Sequence, residues 1–261
     1  MTTTVLAVSA HPDDIELMMG GTLLLLGRAG CELHYMTVVN GSCGTACLDS
    51  DEIVAIRRAE SAKAAALFGA TCHQPLVDDI MIYNTPELAA RLGAVVRRVD
   101  PQIVLVPSGQ DYMEDHTNTS RLMVTATFCR AMRNFQTDPP RPPVRSDVAL
   151  YHALPWGLSD QLRRPIQPDF FVDISAVLDR KLAALACHQS QKLWLDESQG
   201  LDSYLTSAEQ MSARVGEMSG GFEHAEGWQR HNHLGFAPED YDPLREMLRD
   251  GATSSNTGEN Q

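Results

Sequence analysis

The sequence predicts a single α/β domain built around a mainly parallel β-sheet. Strand-like and helix-like segments alternate from residue 5 to about residue 135, which is the order of βαβ units. The strand-like runs at residues 5–9 and 102–106 are almost entirely apolar, as expected of strands buried on both faces. The chain has 261 residues, of which 43% are hydrophobic and 21% charged, so it is long enough to enclose a large core.

Each predicted element has a local signal in the sequence. Strands are predicted where β-branched and apolar residues cluster, at residues 5–9, 32–39, 102–106, 147–152 and 170–174. Helices are predicted in Ala-rich or amphipathic stretches, at residues 16–28, 51–69, 85–99, 121–135 and 178–192. Pro86 suits a first helical turn, and Gly69 suits a helix end. This succession indicates a Rossmann-like sheet flanked by helices, with an elaborated C-terminal region.

The charge balance disfavours two classes of partner. Lys and Arg number 21 against 34 Asp and Glu, which gives a formal net charge of -13. An acidic surface repels phosphate backbones and anionic lipids, so we expect neither nucleic acid nor a membrane as a partner.

The sequence indicates a cytoplasmic protein. Its six cysteines are not spaced as a dense disulfide framework, and its start has no basic leader. The polar residues 251–261 predict a disordered tail.

Two polar clusters carry the chemistry that the sequence suggests. His11, Asp13 and Asp14 follow the first predicted strand, and His116 closes a polar run after the strand at 102–106. Ligands of open α/β sheets bind beyond the carboxyl ends of the strands. Two imidazoles and one carboxylate form a three-ligand set with an open position, as a catalytic zinc requires, and a second Asp can act as general base. Alternatively, an Asp caps the next helix and His116 is an ordinary loop residue.

The string AHPDDIELMMGG at residues 10–21 resembles the signature of the LmbE/PIG-L family. This family comprises zinc-dependent N-deacetylases that act mostly on N-acetylglucosamine conjugates. Further family-like segments follow in order, namely RRAE at 57–60, VDD at 77–79, DH at 115–116, FVDIS at 171–175 and HQSQ at 188–191. The resemblance implies one zinc ion per chain, in a site open to other divalent metals. His11, Asp14 and His116 would be its ligands and Asp13 the general base.

The resemblance also implies residues that act beside the metal. Arg57 and Asp78 match positions that contact sugar hydroxyls or a neighbouring group in relatives, although a helix-surface salt bridge is the alternative for Arg57. Many relatives have His-Pro-Asp-His in the second motif, whereas this chain has Met113 in place of the first His. Met113 cannot carry a proton, so another group must protonate the leaving amine. The candidates are Asp13 acting twice, Tyr112, Glu114, His231 and His233.

One hypothesis is that the C-terminal segment at residues 226–233 closes over the site, so that His231 or His233 compensates for Met113. The alternative is a packed or exposed tail. The resemblance covers about residues 5–191, which we take as the core of one domain spanning residues 1–250, with residues 192–250 as its C-terminal extension.

These observations predict a zinc-dependent hydrolase that removes the acetyl group from an N-acetylated amino sugar or its conjugate. The alternatives are a non-catalytic relative that binds a sugar or metabolite, or an amidase of the same mechanism acting on a non-sugar acyl amide. The expected partner is therefore a small N-acetyl amino sugar. Relatives often form trimers or hexamers whose neighbours help to form the site, so a homo-oligomer is also expected.

Overall fold

The computed structural model describes residues 2–192, 204–249 and 251–254. Its strands are β1 Thr4–Ser9, β2 Glu32–Thr37, β3 Thr71–Cys72, β4 Ile103–Val106, β5 Ala149–Ala153, β6 Phe170–Asp173, β7 Ala225–Arg230 and β8 Ala252–Ser254. They form one sheet in the order β3-β2-β1-β4-β5-β7-β6-β8. Pairing is parallel from β3 to β5 and antiparallel beyond β5. The predicted α/β fold with a mainly parallel core is confirmed.

Helices cover both faces of this sheet. They are α1 Asp14–Met18, α2 Gly20–Arg28, α3 Ser50–Phe68, α4 Pro86–Val99, α5 Glu114–Phe128, α6 Leu178–Leu185, α7 Tyr204–Ser219 and α8 Pro243–Met247. The limits of α3 and α4 follow from their caps: Asp49 and Thr85 accept backbone N–H groups at the two starts, and Gly69 ends α3 with a φ of 73°.

The central strand β1 separates the core into two layers. Val5 and Ala7 face the layer that contains α2 and α6, whereas Leu6 and Val8 face the layer that contains α4 and α5. All four side chains are fully buried. This burial explains the continuous apolar run that predicted β1. The carboxyl end of β1 lies inside the sheet because the strand pairs with β2 on one side and with β4 on the other.

Three predicted helices have different limits in the structure. The helix predicted at 121–135 begins at Glu114 and ends at Phe128, so its polar first turns were missed because apolar periodicity starts only near Leu122. The stretch predicted as one helix at 16–28 is divided between α1 and α2 at Met19. The helix predicted at 178–192 is interrupted after Leu185.

The C-terminal region completes the sheet. Residues 225–230 form β7 between β5 and β6, a strand that the sequence did not predict. The buried Glu226 carboxylate accepts the backbone N–H groups of Gly21 and Thr22 at the start of α2, and it also binds Lys181 at 2.8 Å. Prediction from alternating apolar residues misses β7 because the strand is largely polar. The tail also differs from expectation, because Ala252–Ser254 pair with β6; its residues 255–261 lie outside the described chain.

No helix among the described residues is both long and apolar enough to cross a membrane.

Candidate metal centre

The candidate site lies where β1 and β4 end. These two parallel strands are neighbours, and the connections that follow them lead to opposite sides of the sheet. A crevice opens at such a point beyond the carboxyl ends of the strands. His11 follows β1 directly, Asp14 begins α1, and His116 lies in the first turn of α5. The two sequence clusters therefore meet at one edge of the sheet.

His11, Asp14 and His116 present their ligand atoms to one another. Asp14 Oδ2 lies 3.4 Å from His11 Nδ1 and 3.3 Å from His116 Nε2. One ligand atom from each residue can be chosen so that all three lie within 4.8 Å of one another. Among the residues that the structure describes, no other His, Cys, Asp or Glu group of three or more meets this condition. This arrangement can hold a single metal ion.

The ring nitrogen of each His that points away from Asp14 faces a second carboxylate. His11 Nε2 lies 3.2 Å from Asp115 Oδ2, and His116 Nδ1 lies 3.0 Å from Asp111 Oδ2. A carboxylate behind a metal-binding imidazole fixes the orientation of the ring and makes its other nitrogen a better ligand. Asp111 and Asp115 are therefore parts of the site to which sequence reasoning gave no role.

The metal-free cluster shifts the pKa of each member. Burial lowers the pKa of His11, but the Asp115 and Asp14 carboxylates outweigh it and raise that pKa to about 9. Burial likewise opposes the charge on His116, whose pKa Asp14 and Asp111 nevertheless hold well above its ordinary value. Against the effect of its own burial, the two imidazoles keep the pKa of Asp14 well below its ordinary value. Because a metal replaces the imidazole protons, binding must weaken in acid.

Asp13 lies beside the cluster in an unusual backbone conformation. Its φ of 100° is in the left-handed region, where a non-glycine residue is strained, as is often found at functional sites. Its buried carboxylate accepts a short hydrogen bond from the Tyr204 hydroxyl of α7. Burial raises the pKa of Asp13 to about 6, while the nearby positive charge of Arg57 opposes that rise.

Comparison with known proteins identifies the family. The model of the PIG-L family, described as GlcNAc-PI de-N-acetylase, matches residues 6–127. The diacetylchitobiose deacetylase of Thermococcus kodakarensis is 30% identical over 199 residues, which cover 72% of this chain and 69% of that enzyme. The chain belongs to the PIG-L family. The resemblance stated from the motif at residues 10–21 is thus confirmed.

Two further comparisons extend the PIG-L assignment. The structure of N,N'-diacetylchitobiose deacetylase from Pyrococcus horikoshii aligns with a TM-score of 0.74 and 25% identity, covering 93% of this chain and 88% of that one. The 4-oxalmesaconate hydratase of Pseudomonas putida is 28% identical over 202 residues, covering 72% of this chain and 74% of that enzyme. Relatives named for deacetylation and for hydration are therefore similar to this chain over comparable lengths.

The two residues predicted to contact substrate occupy different positions around the PIG-L site. Arg57 is only 2% exposed, and its guanidinium donates a 2.8 Å hydrogen bond to the carbonyl of Pro12, next to Asp13. The surface salt bridge considered for Arg57 is therefore wrong. Asp78 is exposed and accepts a 2.5 Å hydrogen bond from Asn40, at the edge where β2 ends. Asp78 therefore lies at the exposed rim, whereas Arg57 supports the loop that carries Asp13.

The residues considered as proton donors, and Met113, lie in different parts of the structure. The ring of Tyr112 packs edge-on against His116 at 5.8 Å between centroids, and the side chain remains half exposed. Met113, which replaces a family histidine, is the partly exposed residue just before α5. His231 follows β7, and its Nδ1 lies 3.0 Å from Nε2 of His152. The carbonyl of His233 accepts the backbone N–H groups of residues 236 and 237. Residues 226–230 are a strand within the sheet, so most of the segment expected to close over the site is not a lid.

Tyr204 had no signal in the sequence, because it reaches Asp13 across 191 positions of the chain. Asp111 and Asp115 could have been found, since a metal-binding His ordinarily has a carboxylate or carbonyl behind it and both lie near His116 in the sequence.

Proposed function

We propose that this PIG-L protein is a zinc-dependent deacetylase that hydrolyses the N-acetyl amide of a small N-acetylglucosamine conjugate. The observation that carries the proposal is the meeting of His11, Asp14 and His116 beside the buried carboxylate of Asp13. That arrangement combines a three-ligand metal site with an adjacent general base, which is what amide hydrolysis by a single metal requires.

The ligand set fits zinc in chemistry, and the two distances from its carboxylate fit as well. Two imidazole nitrogens and one carboxylate oxygen are ligands that zinc accepts, and three protein ligands leave the fourth position open. In tetrahedral zinc sites, ligand atoms bound at ~2.05 Å lie ~3.4 Å apart. The distances from Asp14 Oδ2 to the two imidazole nitrogens are 3.4 and 3.3 Å. A bound zinc ion would supply Lewis-acid polarisation of the amide carbonyl and would acidify a water molecule.

In the proposed reaction Asp13 moves the protons. Its carboxylate takes a proton from the attacking water as the oxygen adds to the amide carbon. The same proton then passes to the nitrogen as the carbon–nitrogen bond breaks, which gives the free amine and acetic acid, and the acid ionises to acetate. Tyr204 holds one oxygen of Asp13, and Arg57 holds the preceding peptide, so the base is fixed in direction.

Tyr112 supports the other half of the chemistry. Burial and the charges of Asp14 and Asp111 raise the pKa of its hydroxyl above the ordinary value, so the hydroxyl keeps its proton at neutral pH. It can therefore donate a hydrogen bond to the carbonyl oxygen as negative charge develops there. This role needs no proton transfer from position 113, where Met113 offers none. Asp78 at the rim is proposed to bind a sugar hydroxyl.

The proposal also covers the oligomeric state and the location of the protein. A homo-oligomer is proposed by analogy with relatives. All six cysteines are free, in agreement with a reducing, cytoplasmic location.

The test combines metal analysis with a product assay. Zinc-loaded protein should release acetate from diacetylchitobiose or N-acetylglucosamine, and Asp13→Asn should lose at least about 100-fold in kcat because it lacks the base. Asp240→Asn, at an exposed carboxylate, is the matched control. Bound zinc without acetate release from any N-acyl sugar would instead favour a binding protein. Full activity of Asp13→Asn would refute the proposed base.

Hydration is the second candidate, favoured by the similarity to the Pseudomonas putida hydratase and by the absence of an acid at Met113. The same zinc-loaded protein is incubated with 4-oxalmesaconate. Turnover of that compound without any acetate release would replace deacetylation by hydration.

A further inference from the structure

A cavity lies beside the metal centre, on the α4 and α5 side of the sheet. It has a volume of about 530 Å³, is open to solvent, and lies between the loop after β4, the middle of α5 and the ends of β5 and β7. Side chains of its wall include Gln110, Ser120, Thr125, His152, Gln229 and His231. None of these residues belongs to the proposed metal and base machinery, and the cavity is of the size that ordinarily takes a small-molecule ligand.

Residues of the cavity wall are direct neighbours of residues of the metal centre. Ser120 follows the ligand His116 by one turn on the same face of α5, which is about 6 Å along the helix axis. Gln110 directly precedes Asp111, which lies 3.0 Å from His116. Asn84 belongs to the loop whose Ile80 N–H donates to Asp115. A ligand long enough to extend past His116 from the metal would therefore reach this cavity.

Hydrogen bonds fix which ring nitrogens of His152 and His231 carry protons. His152 Nδ1 lies 3.1 Å from the carbonyl of Pro107, which can only accept, so Nδ1 carries the proton. His152 Nε2 must then accept, and it lies 3.0 Å from His231 Nδ1, which donates. His231 Nε2 is left as an acceptor for a ligand. Burial lowers the pKa of both rings, that of His152 to about 4, so both are neutral at pH 7.

The lining also distinguishes among classes of ligand. No carboxylate side chain belongs to the described wall, although the protein carries a formal net charge of -13, and Arg121 is its one charged residue. Amide, hydroxyl and neutral imidazole groups suit a ligand rich in hydroxyl or acetamido groups. A cationic ligand finds no counter-charge there, whereas Val124 can pack against the apolar face of a sugar ring.

We propose that this cavity binds the second sugar unit of the substrate, while the first unit presents its N-acetyl group to the metal centre. This inference rests on the proposed deacetylase function. It assigns Gln229 and His231 to recognition of hydroxyl groups, and it places His231 outside the proton transfer considered for it in the sequence.

The experiment compares kcat/KM for diacetylchitobiose with kcat/KM for N-acetylglucosamine. Wild-type protein should favour the disaccharide by about tenfold, the worth of one or two ligand hydrogen bonds. Thr125→Trp fills the cavity from an exposed helix position, and His231→Phe removes the acceptor; each should bring the ratio close to one. Glu87→Trp, an exposed position on α4 outside the cavity, should leave the ratio unchanged. Circular dichroism verifies that each variant is folded.

A binding measurement separates this inference from the proposed function. Calorimetry follows diacetylchitobiose binding to zinc-loaded Asp13→Asn protein with and without Thr125→Trp, which should weaken binding about tenfold. A wild-type preference near one, or undiminished binding in folded Thr125→Trp, overturns the cavity assignment even if acetate is released. Conversely, absence of acetate release overturns the proposed function, and weakened binding in Thr125→Trp still supports the cavity as a sugar site.

Discussion

Replacing Tyr204 by Phe tests how the proposed base is held. The Tyr204 hydroxyl donates to Asp13 Oδ2, and the two residues are 4% and 5% exposed. Phe keeps the ring and removes only the hydroxyl, so the packing of α7 against α6 is retained. The change leaves one oxygen of a buried carboxylate without this partner.

The magnitude follows from that single hydrogen bond. A hydrogen bond to a charged group contributes about 1.5–3 kcal/mol, so kcat should fall by roughly 10- to 150-fold if the whole contribution is expressed in the transition state. Burial raises the pKa of Asp13 to about 6, and the Tyr204 hydrogen bond opposes that rise. Without it the pKa rises further, a smaller fraction of Asp13 is ionised, and the acid limb of the pH profile moves to higher pH.

The assay is acetate release as a function of substrate concentration and pH. We expect Tyr204→Phe to lower kcat with little change in KM and to shift the acid limb upward. Tyr241→Phe, at a half-buried tyrosine that packs against the core and not against Asp13, is the matched control. An unchanged kcat together with an unchanged acid limb would show that Tyr204 is only a packing residue.

Two further predictions concern the metal and the fold. Asp111→Asn should weaken zinc affinity about 10- to 100-fold in a chelator competition, because His116 loses the carboxylate behind it; an affinity equal to that of Asp240→Asn would contradict this role. Glu226→Gln should lower the free energy of unfolding in urea by about 3–5 kcal/mol, because Lys181 is left buried without its counter-charge. A loss below about 1 kcal/mol would refute that estimate, since surface pairs contribute that little.

The predicted fold is correct wherever apolar patterning and burial coincide. The strand β1 is buried on both faces, and α3 has an acidic start and a glycine stop, so each is visible in the sequence. The first turns of α5 and the strand β7 are stabilised by other means. Glu226 is buried because Lys181 and the start of α2 compensate its charge, and these partners lie 45 and 204 to 205 positions away. Long-range electrostatic partners leave no local pattern.

The same distinction applies to the site. His11, Asp13 and Asp14 are contiguous in a motif, and β1 and β4 bring His116 to them because parallel neighbours end at one edge. The family resemblance supplied the ligand set, and the structure brings its three side chains together. The role of Arg57 could not be predicted from the sequence. Its guanidinium binds a backbone carbonyl, and because every residue has one, no side chain in the sequence marks the partner.

A zinc titration of metal-free protein, with acetate release recorded at each addition, tests whether the metal carries the deacetylation. We expect no acetate from the metal-free protein, a linear rise in rate with added zinc and a plateau at about one ion per chain, the number that three ligands with one open position hold. Full activity without metal would contradict the account, as would zinc-loaded protein that binds the ion through His11, Asp14 and His116 yet releases acetate from no N-acetylated sugar.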